Sequence, residues 1–365
     1  MKIEISRAYD LPELAACWTE LESRAAGNFF LSWRWIGTWL RATGAQPLLV
    51  KAMEGDVVLG LGLLTPLRRK RHFLCVNQLC LHETGIPQCD ALMIEYNNFL
   101  IARSAPLDMA AQILRVLQSA EPGWDEIVLG GVSSDLTSTV EAAGLHIETD
   151  RLSPHFGVEL SATERWEDTL SANQRAQLRQ SRTFAERIGP LKLQPAADTR
   201  QALEFFDKMA AMHAAYWQRR GKPGAFATQF SQRFHHELIS CQAGTAQVEL
   251  LELTAGSQVL GYLYNFQDAG RTYNYQSGFS YIDDNRHRPG LIAHAMAIEQ
   301  AARRGMQVYD FLAGDAPYKA RLGHSMGTMV WCRVQSDRPL LSIERSMRRL
   351  YRGLRRLAVA PNRRG

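Results

Sequence analysis

Residues 271–321 read RTYNYQSGFSYIDDNRHRPGLIAHAMAIEQAARRGMQVYDFLAGDAPYKAR, and this stretch decides the fold class. Residues 271–279 are rich in Tyr and Phe, as strands are. Residues 281–288 are polar and broken. Pro289 stands where a first helical residue belongs, with φ already set and no amide to waste. Leu291, Ala295, Ile298 and Ala302 then recur on one helical face, and Gly305 is a natural stop. Residues 306–312 form a short apolar run of the kind found in buried strands. Arg286, His287 and Arg288 precede Gly290 at the start of that helix. Free amides and the positive end of the helix dipole meet there, a ready place for a phosphate. The same arginines also fit a plain solvated loop, because one short basic loop is a weak motif.

Outward from this stretch, other pieces stand out: NFFLSWRWIGTW at residues 28–39, LSANQRAQLRQSR at 170–182 and HAAYWQRRGKPGAF at 213–226. Together with YNYQSGFS, RPGLIAHAMAIEQAARRG and YDFLAGDAPYK, they resemble the GNAT-type acetyltransferase domain of the CelD/BcsL class. That class is found with cellulose and exopolysaccharide biosynthesis, and it is similar in turn to the Fem-type peptidoglycan aminoacyltransferases. The resemblance runs from about residue 28 to residue 321, and residues 309–319 are its most specific part.

A chain of 365 residues suits two domains better than one. The first 30 residues lack a basic start followed by an apolar core, and no apolar run is long enough to span a bilayer, so a cytoplasmic protein is expected. Six cysteines, Cys17, Cys75, Cys80, Cys89, Cys241 and Cys332, show no paired spacing. His72, Cys75, Cys80, His82 and Cys89 cluster, but at spacings that match no common zinc finger, so no metal is expected. The net charge of +5 belongs to the end of the chain. Residues 341–365 hold eight arginines and one acid, Glu344.

Along the chain, Asp10 with Glu13 reads as a helix start. Residues 47–53 and 57–64 read as a hairpin, followed by a strand near 73–81, a helix near 107–120 and a strand at 126–129. A short helix capped by Ser134 and a strand at 155–160 complete the half. A polar helix at 171–188 intervenes. Asp198 then caps a long helix, Phe230, Phe234 and Leu238 mark another, and residues 246–253 and 258–266 form a second hairpin. The halves repeat one order of elements, which supports an α/β (α+β) chain of tandem GNAT-like (acyl-CoA N-acyltransferase) domains with mixed central sheets. Residues 1–165 form the first, without a phosphate loop. Residues 166–340 form the second, able to bind acyl-CoA, and residues 341–365 a basic amphipathic tail. The segment 82–105 of the first half carries Glu83, Asp90 and Glu95, an acidic stretch that repels phosphate.

The resemblance implies an acyl donor clamped near Arg286, Arg288, Gly290 and Leu291, with an oxyanion amide at the end of the preceding strand, around Ser277, Gly278 and Phe279. His213 sits on an apolar helix face with Leu203, Phe206, Ala210 and Trp217, where a histidine is ordinarily a satisfied core residue. The resemblance makes it the first choice of general base. Asp310 lies inside a strand, where a carboxylate must be paired or neutralised. Its partner is Lys319 or an arginine of the Arg175/Arg179 helix; otherwise it is a base with raised pKa or an acceptor-binding carboxylate. Tyr318 fits a proton donor to the leaving thiolate, as in many GNAT enzymes, or a packed tyrosine, and Lys319 stands beside it near the thioester. Arg175, Arg179, Trp217 and Tyr275 are the residues expected at the acceptor. In the tail, Ile343, Met347, Leu350, Leu354 and Leu357 keep a helical period among arginines, a pattern that packs on the domain or attracts an anionic membrane surface.

The function expected is acyl transfer from acetyl-CoA or another acyl-CoA to an amine or hydroxyl of a sugar nucleotide, glycolipid or polysaccharide precursor. A small-molecule donor and a glycan-type acceptor are the partners expected, with peripheral contact to the inner face of the membrane and no DNA. The alternatives are a Fem-type transferase using aminoacyl-tRNA and a degenerate, non-catalytic accessory protein of polysaccharide biosynthesis.

Overall fold

Thirteen strands join into one mixed sheet in the computed structural model, which describes residues 1–71, 74–120, 123–160, 165–241 and 247–347. They are β1 (Lys2–Ser6), β2 (Leu48–Glu54), β3 (Val57–Arg71), β4 (Leu74–Leu81), β5 (Leu100–Ile101), β6 (Glu126–Ser133) and β7 (His146–Glu159). The second half adds β8 (Leu191–Pro195), β9 (Val248–Ala255), β10 (Gln258–Asp268), β11 (Arg271–Phe279), β12 (Val308–Ala313) and β13 (His324–Gln335). Their order across the sheet is β1-β2-β3-β4-β6-β13-β7-β12-β11-β10-β9-β8, with β5 attached to β3.

One pattern is used twice. β2 and β3 form a hairpin, and β4 runs antiparallel to β3 but parallel to β6. β9 and β10 form a hairpin, and β11 runs antiparallel to β10 but parallel to β12. At the centre the halves exchange strands. β7, early in sequence, lies between β13 and β12, while β13, late in sequence, lies between β6 and β7. Each half-sheet is therefore completed by a strand from the other half.

The helices are α1 (Leu11–Arg24), α2 (Trp33–Thr43), α3 (Pro87–Asp90), α4 (Met109–Ser119), α5 (Ser134–Ala142), α6 (Ala172–Glu186), α7 (Thr199–Gln218), α8 (Gln229–Ser240), α9 (Pro289–Arg303) and α10 (Pro317–Leu322). Asp10 accepts the Glu13 amide and Asp198 the Gln201 amide, so both caps stand where the sequence puts them. At α5 the cap is Ser133, one residue before the expected Ser134. Ser171 and Gln174 close a reciprocal capping box on α6. The face that α9 buries is Ile292, Ala295, Ile298 and Ala301, with His294 among them. Ala295 and Ile298 of the expected face are buried, whereas its two ends are not: Leu291 is half-buried and Ala302 is exposed. An alanine-rich helix carries little periodic contrast, so its pattern sets rotation poorly.

The larger core crosses the midline. Phe29, Phe30 and Trp35 from the first half pack on Phe266, Tyr273 and Tyr275 from the second, all of them buried. The Phe29 and Phe266 rings stack with centroids 4.1 Å apart. After β13, residues 339–347 are helical, with Leu341 buried on Leu74 and Val76 and Glu344 paired to Arg71 at 2.7 Å. The expected apolar face is not the one that packs: Ile343 and Met347 are about half exposed. Leu350, Leu354, Leu357 and the tail arginines from 348 onward lie outside the described residues. Among the described residues no helix is long and apolar enough to cross a membrane.

Because the halves share strands and an aromatic core, they are expected to unfold together. Phe29→Ala removes a stacked, fully buried ring and should cost about 3–5 kcal/mol. Urea denaturation followed by tryptophan fluorescence and by circular dichroism should give one coincident transition, shifted to lower urea. Two transitions, only one of them shifted, would show that the halves are independent.

Candidate active site

β11 and β12 begin as neighbours and then part. They pair only from Arg271 with Val308 to Tyr273 with Asp310. Beyond that point β12 turns away, with its register against β7 shifted between Asp310 and Ala313 and Leu312 at φ 60°. A leucine in this left-handed region is strained by about 1–3 kcal/mol and must be held there. Asp310 holds it. Its Oδ1 accepts the Leu312 amide at 2.7 Å.

The rest of the Asp310 carboxylate is equally committed. Oδ2 accepts from Arg271 at 2.8 Å and from the Tyr96 hydroxyl, and His155 Nε2 lies 3.3 Å away. Burial alone would raise this carboxyl, but the His155 and Tyr96 hydrogen bonds and the Arg271 charge hold it below the ordinary carboxylate range. The expected partners, Lys319 and the Arg175/Arg179 helix, are not the actual ones, because Arg271, His155, Tyr96 and the Leu312 amide take up the carboxylate and Lys319 Nζ goes to the Leu312 and Ala313 carbonyls. Asp310 is fully buried, and its side chain forms no part of the cleft wall. Asp310 is a fastener rather than a base.

Between the splayed ends opens a cleft of about 530 Å³. Its walls are the ends of β11 and β12, α10, the first turn of α9, the end of α7 and one face of α6. The α9 start opens onto it without a side-chain cap. Gly290 packs closely there, and a Cβ would press on the Phe279 ring at 3.1 Å. Arg288 stands at the same mouth with a buried Nη1 that has no hydrogen-bond partner among the described residues. Arg286 does not join it. Its guanidinium folds back onto Asp284 at 2.6 Å, outside the cleft wall.

Ser277, Gly278, Phe279, Leu291, Trp217, Tyr275, Tyr318 and Lys319 are all brought to the cleft. Several are not free to do what the sequence suggests. His213 is in the wall, but Nδ1 donates to the Ser277 carbonyl at 3.0 Å and Nε2 accepts the Ala225 amide at 3.1 Å. Burial lowers its pKa further. With both nitrogens engaged by backbone it has no lone pair for a proton, and the general-base assignment is corrected to a brace between α7, β11 and the GKPGAF loop. Gly224 of that loop passes so close that a Cβ would meet the imidazole at 3.1 Å. Lys319 Nζ donates to the carbonyls of Leu312 (3.1 Å) and Ala313 (2.5 Å), bracing the kinked end of β12. Tyr275 spends its hydroxyl on the Leu92 carbonyl.

Arg175 and Arg179 are also corrected. Arg175 bonds the Leu170 carbonyl, Arg179 is exposed, and the α6 residues in the cleft are Gln174 and Gln177. The rotation of α6 follows from its buried edge, Leu178, Ser181 and Ala185. Arg182 locks it, bridging Glu167 and Glu299 of α9 at 2.8 Å each.

Sequence reasoning also passed over His294 and Glu95. His294, a lone polar residue in the apolar α9, stacks on Tyr318 at 5.1 Å and bonds the Tyr309 hydroxyl at 3.1 Å. Burial keeps it neutral, with a pKa down to about 3. Burial likewise raises the Tyr318 phenol, which stays protonated. The other is Glu95, which reaches in from the first half. No local signal marks it.

At the equivalent position of the first half no such cleft opens among the described residues. β4 and β6 also part after Cys80 and Val128, but segment 92–97 and Glu83 fill the gap. A cavity of only about 10 Å³ remains beside Glu83 and Asp90. Burial and the Asp90 charge push Glu83 up to about 8. Among the described residues no three His, Cys, Asp or Glu side chains converge as metal ligands, and His72 lies outside them.

A parallel strand pair that splays around a cleft, with an uncapped helix start at its mouth, is now in place. Residues 172–320 match the acetyltransferase (GNAT) domain family. The second half thus has the fold of GNAT-type acyltransferases. Over its length the chain is similar to the crystal structure of FemX, at 12% identity and a TM-score of 0.58, covering 94% of this chain and 99% of that one. It is also similar to the C-terminal domain of a putative lysylphosphatidylglycerol synthetase from Agrobacterium fabrum (12%, TM-score 0.54, 90% and 93%). A third is L-PGS from Bacillus licheniformis (10%, TM-score 0.53, 91% and 94%). At these identities the likeness is one of fold. No curated protein matches the chain.

Asp310→Asn leaves the kink amide and Arg271 without a carboxylate, and should destabilise the protein by about 3 kcal/mol at pH 7. The Asp310 contribution is present above the ordinary carboxyl pKa and lost as pH falls through its lowered folded value. Denaturation curves of the two proteins should therefore converge in acid.

Proposed function

We propose that the protein is an acyl-CoA-dependent acyltransferase that modifies an amine or hydroxyl of a sugar nucleotide, glycolipid or polysaccharide precursor, in keeping with the resemblance to the CelD/BcsL class. The observation that carries the donor half is the mouth of the cleft. In the α9 first turn Pro289 has no amide and those of Leu291 and Ile292 donate to the Arg288 carbonyl, so among the described residues Gly290 supplies the one unbonded amide there, and Arg288 Nη1 adds a charge beside it. A diphosphate supplies oxygens that accept from such donors. The β11 edge facing β12 has no strand partner beyond Tyr273, which leaves backbone amides for a thioester oxygen. Tyr318, protonated and lining the cleft, suits the departing thiolate.

The acceptor half rests on the opposite wall. Trp217 and Tyr281 bring aromatic rings, beside Tyr216, whose ring carries the Arg220 guanidinium at 3.7 Å, and Gln174, Gln177 and Gln276 bring carboxamides, that of Asn274 being bonded to Asn265 Oδ1 at 2.9 Å. Aromatic faces cover the apolar faces of sugar rings, and carboxamides both donate to and accept from hydroxyls. Attraction of the arginine-rich tail to an anionic membrane surface would bring the enzyme to a lipid-borne acceptor.

A second reading, in which an aminoacyl donor replaces acyl-CoA, goes with the whole-chain likeness to FemX and to the putative lysylphosphatidylglycerol synthetase. Calorimetry separates the two. Acetyl-CoA should bind the wild type, and Arg288→Ala should weaken that binding about tenfold to a hundredfold. Arg286→Ala, which breaks only an exposed pair with Asp284, should bind as the wild type does. Binding of charged tRNA at low salt with no uptake of any acyl-CoA would transfer the assignment to the second reading.

A further inference from the structure

The segment 92–97 belongs to the first half yet is fastened to the second at three points. The Tyr275 hydroxyl donates to the Leu92 carbonyl, the Tyr96 hydroxyl to Asp310, and the Ala313 amide to Glu95 Oε2 at 2.7 Å. On its other side the Asn97 amide donates to the Gly131 carbonyl at 3.1 Å. Gly131, at φ 68°, has no room for a Cβ, which would meet the Ile94 carbonyl at 2.3 Å. Strain collects at the same junction. Three of the five non-glycine residues with positive φ among the described residues are Met93, Tyr96 and Leu312. Backbone held in this way presents one side chain accurately, and that side chain is Glu95.

Glu95 is 7% exposed and lines the cleft. One oxygen is fixed by the Ala313 amide, and among the described residues the other, Oε1, has no hydrogen bond. From this arrangement we infer that the first half supplies the proton acceptor of the transfer, Glu95, into a cleft otherwise built by the second. This deepens the acyltransferase reading and rests on it. His213 cannot serve, with both nitrogens bonded to backbone, and Asp310 is outside the wall.

The charged groups around Glu95 are Lys319 from α10, Asp310 from β12 and His155 from β7. Burial raises the carboxyl to about 7, against the pull of the Ala313 amide and the Lys319 charge. A base poised there is half ionised near neutrality, the condition under which a general base is most effective. In the step, the acceptor N–H or O–H gives its proton to Glu95 Oε1 as its nitrogen or oxygen bonds the acyl carbon. The C–S bond breaks and the thiolate takes the Tyr318 hydroxyl proton. Glu95 then loses its proton to solvent and Tyr318 regains one, so the enzyme ends as it began.

Two measurements on the full chain test this. Dicyclohexylcarbodiimide, which attacks protonated carboxyls in apolar sites, should modify Glu95 with a pH midpoint near 7, as read by peptide mass spectrometry. No modification at any pH would overturn an acid–base group open to the cleft. Glu95→Gln keeps an acceptor for the Ala313 amide, so the fold should hold. Acetyl-CoA binding by calorimetry should stay within twofold of wild type, while thiol release with glucosamine as amine probe falls about a hundredfold or more. The limb of the rate profile near pH 7 should vanish as well. Equal rates and an unchanged profile in Glu95→Gln would overturn the inference and leave the donor site standing. Loss of donor binding in step with rate would also overturn it, making Glu95 a donor contact.

Discussion

The buried carboxylate of Asp310 sets the architecture of the site. A charge with no exposed surface is tolerated only when its oxygens are saturated, and here the donors come from four places: Arg271 on β11, His155 on β7, Tyr96 from the first half, and the amide of Leu312 two residues along its own strand. That last bond stabilises a left-handed leucine and so turns β12 away from β11. The cleft exists because the strands separate there. Arg271 and His155 bind the same group from the two neighbouring strands, so the sheet stays continuous just below the point where it opens. One ionic cluster both closes the sheet and releases its end.

The exchange of β7 and β13 gives this cluster its reach. Since β7 comes from the first half, His155 is placed beside Asp310 by the chain's topology rather than by any local motif. The same exchange brings segment 92–97 against the end of β12, where Tyr96 and Glu95 take up opposite duties, one on the fastener and one in the cleft. In the first half the equivalent gap is filled by that segment and by the raised carboxyl of Glu83. The duplicated pattern thus yields one open site and one plug, and the plug is what donates a residue to the open site.

Several features were legible along the chain because they depend on neighbours within a few residues. Pro289 at the first turn of α9, the caps Asp10 and Asp198, and both hairpins follow from backbone geometry and side-chain reach. The role of His213 was not legible. A histidine on an apolar helix face looks the same whether it holds a proton for chemistry or binds two backbone groups, and only the approach of Ala225 and Ser277 tells these apart. Arg175 and Arg179 failed for a related reason: a polar helix carries too little contrast to show which edge is buried, so Gln174 and Gln177 could not be picked out.

By itself the sequence determined both hairpins, most of the helices, their repeated order and the arginine-flanked helix start, but not β1, β8 or β13, since what was read is written in contacts between residues close along the chain. Only the tertiary structure decided which half completes which sheet, that Asp310 is a fastener, and that Glu95 enters a cleft of the other half. Those outcomes depend on saturating buried charges across distances of 39 to 218 positions in sequence. Such pairings leave no periodicity to read, because what selects them is the cost of burying a charge alone.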